Sequence, residues 1–188
     1  MNPAAVLSVC AATLEAGAGL LVASVSRAPG WRSARPLAVI AFSAAAYSAT
    51  NVVFALEGVP DGTRIIAARL EFLFAAIHAV AWLLYVRGGS SSSKRALPPA
   101  VRLLGLGTLA LGLLCQVPGV VENGTVESMA VASFGVRYWM PRPTTLGSLA
   151  GAWMLAVLVV PFWTLVQRVR RGAEDARWHF VGFAVFYV

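Results

Sequence analysis

Long apolar runs alternate with short polar segments along the whole chain. A helix needs about 20 consecutive apolar residues to cross the roughly 30 Å hydrocarbon core of a bilayer. Strands of a membrane barrel would be about 10 residues long with alternating polarity, a pattern that these runs lack. The sequence therefore predicts an all-α, polytopic membrane helical bundle with five full transmembrane helices and part of a sixth. The predicted helices cover about 4–26, 37–57, 64–86, 100–120 and 145–167, and the incomplete one covers 178–188.

The sixth apolar run begins near Trp178 and reaches Val188. At roughly 11 residues it is too short to span a bilayer. We therefore expect residues 1–188 to form one transmembrane bundle that belongs to a longer protein and is cut within its sixth helix.

Composition agrees with several membrane spans. Hydrophobic residues make up 59% of the chain and charged residues 12%, and the mean hydropathy is +0.74. Soluble domains are nearer a quarter charged. The net charge of +7 does not indicate nucleic-acid binding, because the basic residues form short clusters between apolar runs.

The basic clusters predict an orientation. Most of the 15 Lys and Arg residues follow the first, third and fifth predicted helices. Cytoplasmic loops of membrane proteins carry the excess of Lys and Arg, so we expect an extracytoplasmic N-terminus. The residues of the three clusters are Arg27, Arg32, Arg35, Arg87, Lys94, Arg95, Arg102, Arg168, Arg170, Arg171 and Arg177.

Four polar residues inside the predicted helices are candidates for a site: Glu15, Asn51, Glu71 and His78. A charged group at the centre of a bilayer costs at least about 2.5–3.5 kcal/mol, so each such group needs a partner or a role. Glu71 and His78 are seven residues apart and share one helix face, and that face continues to Arg64.

Two interpretations of these residues stay open. They could line a polar cavity that senses a small ligand, a proton or a membrane property. They could instead form interhelical hydrogen bonds, for example between His78 or Glu71 and Glu15 or Asn51, worth about 0.6 kcal/mol on average. Arg69 lies off the shared face and is expected to snorkel to the outer surface.

The sequence holds no catalytic signature such as GxSxG, HExxH or a P-loop. Cys10 and Cys115 lie in apolar runs without metal-ligand spacing and are expected to be inert buried thiols. We therefore predict no catalytic residue, no metal and no cofactor in this chain.

The third predicted helix carries a family resemblance. Its sequence ARLEFLFAAIHAVAWLLYVRG is similar to the third helix of the N-terminal seven-helix membrane region of bacterial sensor histidine kinases. The matching residues are Ala68, Arg69, Leu70, Glu71, Phe72, Ala81, Trp82 and Leu83. The resemblance extends loosely along the chain, although the second predicted helix lacks the tryptophan often found there in the family.

The resemblance implies a membrane-embedded input domain of a two-component signalling protein in the bacterial inner membrane. It implies a homodimer that responds to a small-molecule or membrane signal. The resemblance also implies a cytoplasmic output that is missing from this chain, which could be a histidine kinase, a diguanylate cyclase or a PAS-linked module. The alternative is a fragment of a small transporter or permease, which would show repeat symmetry and broken helices around a central site.

Overall fold

The computed structural model describes residues 2–88, 98–131, 135–172 and 176–177. That part of the chain is mostly helical, as predicted. It contains α1 (Pro3–Val25), α2 (Arg35–Ala55), α3 (Asp61–Gly88), α4 (Pro99–Leu114) and α5 (Thr145–Arg170), together with β1 (Glu122–Val131) and β2 (Val136–Pro143).

Four of these helices, α1, α2, α3 and α5, are long and apolar enough to cross a membrane. They coincide with predicted helices 4–26, 37–57, 64–86 and 145–167 to within a few residues. The length and hydropathy of the four helices favour a membrane protein. The incomplete helix predicted at 178–188 lies outside the described residues.

The fourth predicted helix is shorter than expected. Helix α4 has 16 residues and ends at Leu114, whereas the prediction extended it to residue 120. Gly119 adopts a positive φ of 78° in a turn, and Pro118 before it cannot donate a backbone hydrogen bond. Because α4 is only about 24 Å long, it does not reach the length of a full span.

The all-α prediction is wrong for the segment between α4 and α5. Strands β1 and β2 form an antiparallel hairpin with Ser128 opposite Trp139 and Met129 opposite Tyr138. Aromatic side chains such as Tyr138 and Trp139 of β2 fit the pleated surface of a strand, and they favour a β-hairpin over a helix in this segment. Asn2, which precedes α1, connects the hairpin to α2. Its side chain donates to the carbonyl oxygens of Ala55 in α2 (2.8 Å) and Arg137 in β2 (2.6 Å).

The helices pack in successive pairs and leave a gap beside α3. Helix α1 packs on α2, α2 packs on α3, and α3 also contacts α4 and α5. At the end away from the hairpin, Ile40, Trp82, Val86 and Leu165 join α2, α3 and α5 in one apolar cluster. Between that cluster and the hairpin, residues of α1, α2, α3 and α5 surround the gap.

A buried ion pair ties the hairpin to α3. The guanidinium of Arg69 donates to Oε1 of Glu122 through Nε at 2.8 Å and also through Nη2. The carboxylate also accepts from the backbone N–H of Gly119, and Gln116 donates to the carbonyl oxygen of Arg69 at 2.8 Å. Arg69 therefore reaches a carboxylate on β1 instead of snorkelling to open solvent as expected.

The environment of Glu122 favours its charged form. Burial of the carboxyl raises its pKa, but the hydrogen bonds from Arg69 and Gly119 have the larger combined effect and hold the pKa below its usual value of 4.5. The charged pair therefore stabilises the fold at neutral pH.

We expect Glu122→Gln to lower the free energy of unfolding by about 1–3 kcal/mol, because it leaves the Arg69 guanidinium without its carboxylate. Unfolding by sodium dodecyl sulfate in mixed micelles measures this difference. The matched control is Glu127→Gln, which removes an exposed ion pair to Arg142 (3.5 Å) and should cost less than about 1 kcal/mol.

Acid should remove the difference between the Glu122→Gln variant and the natural protein. A carboxyl with a depressed pKa contributes its full stability above the usual value of 4.5, and loses that contribution as the pH falls through the lower folded-state pKa. An equal cost for Glu122→Gln and Glu127→Gln, or a difference that does not decrease in acid, would contradict this account.

Candidate functional site

A cavity of about 780 Å³ occupies the gap beside α3. Ligand pockets are typically about 300–1,000 Å³, so this space is large enough for a small organic molecule. All four residues predicted from the sequence line it. The lining residues are Ala11 and Glu15 of α1; Ser43, Ala44, Tyr47, Ser48 and Asn51 of α2; Glu71, Phe72, Phe74, Ala75 and His78 of α3; and Gly151, Met154, Leu155 and Leu158 of α5.

The cavity lies near the middle of the apolar helices. Along the axis of α1, Glu15 is about 18 Å from Pro3 and about 15 Å from Val25, given a rise of about 1.5 Å per residue. This is the depth at which an unpaired charge is most costly in a bilayer. The polar groups of the cavity therefore need hydrogen-bond or ion-pair partners within the protein or its ligand.

Helix α2 supplies hydroxyl partners to both carboxyl groups. The Ser48 hydroxyl donates to Oε2 of Glu15 at 2.8 Å. The Thr50 hydroxyl lies 3.2 Å from Oε1 of Glu71 and 2.6 Å from the carbonyl oxygen of Tyr47. These bonds connect α2 to α1 on one side and to α3 on the other.

His78 has hydrogen-bond partners on both ring nitrogens. Nε2 accepts from the indole N–H of Trp82 at 3.0 Å, so the proton of a neutral ring is assigned to Nδ1. Nδ1 lies 3.0 Å from the Ser43 hydroxyl, which in turn donates to the carbonyl oxygen of Ile40 at 2.9 Å. His78 thus links α3 to α2, and its ring cannot take a ligand without breaking one of these bonds.

Asn51 and Arg64 lie in different parts of the bundle and have different partners. The carboxamide of Asn51 lines the cavity and donates to the carbonyl oxygen of Tyr47 within its own helix at 3.3 Å. Arg64 lies outside the cavity lining, at the hairpin end, where it donates to the carbonyl oxygen of Leu56 at 2.8 Å and its guanidinium carbon is 5.1 Å from the ring centroid of Trp139. The polar face of α3 therefore divides into a cavity portion and an anchor for the hairpin.

The hydrogen-bond partners differ from those considered in the sequence. Pairs between His78 or Glu71 and Glu15 or Asn51 were the expected examples, whereas the observed partners are serine and threonine hydroxyls of α2. Ser and Thr cost little in lipid and hydrogen-bond readily to other helices, so their presence alone does not mark them as partners. Their concentration in the Ala-rich middle of α2 is the signal that could have found them.

The arrangement has room for a ligand but does not resemble a metal centre. Within the described ranges, no group of three or more His, Cys, Asp or Glu side chains is placed to hold a metal ion. An ionised carboxylate offers about four acceptor positions, and each Glu of the cavity has a single hydroxyl partner among the described residues. Spare acceptor capacity on Glu15 and Glu71 is the main chemical feature of the cavity.

A double-mutant cycle can measure the bond between α2 and α3. We expect Ser43→Ala and His78→Leu to show a coupling free energy of about 0.6 kcal/mol, with an upper bound near 1.7 kcal/mol, as found for interhelical hydrogen bonds. Unfolding in mixed micelles gives the four free energies that the cycle needs.

The control cycle combines His78→Leu with Ser148→Ala, which changes an exposed serine on α5. Substitutions at separate sites add, so the control coupling should be zero within error. Zero coupling in the Ser43 cycle as well would show that the Ser43 hydroxyl does not link the two helices, which would leave the contact of Nδ1 with the carbonyl oxygen of Ile40 (3.2 Å) as the link from His78 to α2.

These contacts define the site through its own chemistry. No protein-family model, curated protein or solved structure matches this chain.

Proposed function

We propose that this chain is a membrane-embedded input domain of a bacterial signalling protein, and that its cavity receives the stimulus. The observation that supports this proposal most strongly is the cavity of about 780 Å³ among four apolar helices, which is lined by Glu15, Asn51 and Glu71. Polar groups are costly at this depth and mark functional sites in membrane proteins. An open space beside them gives a small molecule room to bind.

The proposed location is the bacterial inner membrane, with the N-terminus and the hairpin on the extracytoplasmic side. The exposed side chains of the apolar helices support the membrane, since Leu7, Leu14 and Leu21 follow one outward stripe of α1. The distribution of basic residues supports the orientation, since Arg32, Arg35 and Arg168 all lie at the end away from the hairpin.

The packing supports a route from the cavity to the cytoplasmic end. Met154 and Leu158 of α5 line the cavity, and farther along the same helix Leu165 packs in the cluster with Trp82 and Val86 of α3. A ligand that binds one separation of α2 and α5 better than another would shift the population between two packings. That shift would change the geometry of α3 and α5 where they leave the membrane.

The resemblance of α3 to histidine kinase sensor regions supports a kinase as the output. On this proposal the chain is not itself catalytic, works as a homodimer and passes its signal to cytoplasmic modules. The unbroken course of α1, α2, α3 and α5 past the cavity, as the structure describes them, favours this function over a transporter fragment. Transporters commonly build their central sites from discontinuous helices.

Filling the cavity should change signalling. We expect Ala44→Phe to shift the basal kinase output of the full-length protein by about tenfold towards the ligand-bound level, because the ring occupies the ligand's space. Phosphate incorporation from labelled ATP in native membrane vesicles measures the output.

The matched control is Ala156→Phe, which adds the same ring to an exposed position on α5 and should leave the output unchanged. An unaltered output in Ala44→Phe, at normal membrane levels of the protein, would contradict a sensory role for the cavity.

A further inference from the structure

We propose that the cavity binds an amphipathic organic cation, a substituted ammonium group carried on an apolar body. This inference rests on the proposed function, in which the cavity is a ligand site. It adds the chemical class of the ligand, which is argued from the charge of the lining, the hydrogen bonding of Glu71, the aromatic walls and the opening of the cavity.

The charge of the lining favours a cation. Among the described lining residues, Glu15 and Glu71 are the ionisable acids, and neither Lys nor Arg is present. His78 supplies no positive charge in the neutral tautomer that its bond from Trp82 requires. An anionic ligand would therefore find no cationic partner in the lining, whereas a cation would find two carboxyl groups whose ionised form it favours.

The hydrogen bonding of Glu71 leaves a place for a positive group. The Thr50 hydroxyl has a single proton, which it shares between the Tyr47 carbonyl oxygen at 2.6 Å and Oε1 of Glu71 at 3.2 Å. The shorter contact takes the larger share, so a Glu71 carboxylate receives less than one full hydrogen bond from the described residues. An ammonium group beside Glu71 would favour the ionised form of its carboxyl and would supply the partner that the described residues do not.

The walls of the cavity suit the rest of such a ligand. Tyr47, Phe72 and Phe74 contribute aromatic rings, and the face of an aromatic ring attracts quaternary ammonium groups. Met154 and Leu158 of α5 add an apolar surface to the lining. A cationic head between the aromatic and acidic groups and an apolar body against α5 would use both surfaces.

Access to the cavity is from the side of the bundle. Tyr47 and Leu155 line it near the middle of their helices and are 44% and 68% exposed. In a membrane, this height meets the hydrocarbon layer. A ligand that enters there must partition into lipid, which is why the proposed cation is amphipathic and not a metal or a small hydrophilic ion.

The test compares three probes of similar size and different charge. They are benzyltrimethylammonium, its uncharged carbon isostere neopentylbenzene, and the anion benzenesulfonate. Equilibrium dialysis against the full-length protein in phosphatidylcholine nanodiscs gives the affinities, with empty nanodiscs subtracted to correct for partition into lipid. We expect the cation to bind at least about tenfold more tightly than the isostere and the anion to bind most weakly.

Two variants locate the charge preference. Glu71→Gln should reduce the ratio of cation to isostere affinity towards one, because it removes the counter-charge and keeps the shape. Glu57→Gln removes an exposed carboxylate outside the cavity and should leave the ratio unchanged. The ratio in the unaltered protein is decisive by itself, so the test survives if Glu71→Gln fails to fold.

The outcomes separate this inference from the proposed function. Equal or tighter binding of neopentylbenzene or benzenesulfonate would overturn the cation while leaving a ligand-binding cavity in place. Absence of specific binding by all three probes would also overturn it, and the output of Ala44→Phe would then decide independently whether the cavity is sensory.

Discussion

The pairing of polar side chains in the middle of apolar helices is the constraint on which the rest of this structure depends. Glu15, Glu71 and His78 each lie in a helix that is otherwise suited to hydrocarbon, and hydroxyl groups of α2 pair with all three. Serine and threonine are small, so they contact these partners without filling the space around them. Helix α2 therefore holds α1 and α3 together while a cavity stays open towards α5.

The same contacts divide the polar residues into two kinds. His78 has partners on both ring nitrogens and acts as a link between α2 and α3. The carboxyl groups of Glu15 and Glu71 keep acceptor positions that the described residues do not fill. On the proposed function, packing and ligand binding, which compete as interpretations of the sequence, belong to different residues of one cavity.

The two ends of the bundle are more firmly fixed than its middle. The Arg69–Glu122 ion pair and the contacts of Asn2 join the helices to the hairpin at one end. The cluster of Ile40, Trp82 and Leu165 joins α2, α3 and α5 at the other. Between these ends the cavity separates α2 from α5, which is the region where a ligand could change their spacing.

The sequence predicts those features of the structure that involve a large free-energy cost, namely the long apolar helices and the buried charged groups. Run length located four long helices, and the cost of buried charge identified Glu15, Glu71 and His78 as residues that need partners. Helix α4 was extended too far because apolar residues continue to Val120, beyond the turn at Gly119. The hairpin was missed because a search for long apolar runs passes over strands of 8 and 10 residues. The Arg69–Glu122 pair joins residues 53 positions apart, and no local pattern connects them.

Thiol accessibility in intact membranes tests the central claim, an open polar cavity within the bundle, most directly. Single cysteines would be placed at Ala75, which lines the cavity, and at Ala156, which is exposed on α5, after Cys10→Ala and Cys115→Ala. Alkylation by N-ethylmaleimide requires a thiolate, so the reaction is run at about pH 9, where a thiol in contact with water ionises even beside the Glu71 carboxyl group and a thiol in hydrocarbon does not. The account predicts that the cysteine at position 75 reacts and the one at position 156 does not. Protection at position 75, with the protein folded in the membrane, would contradict it.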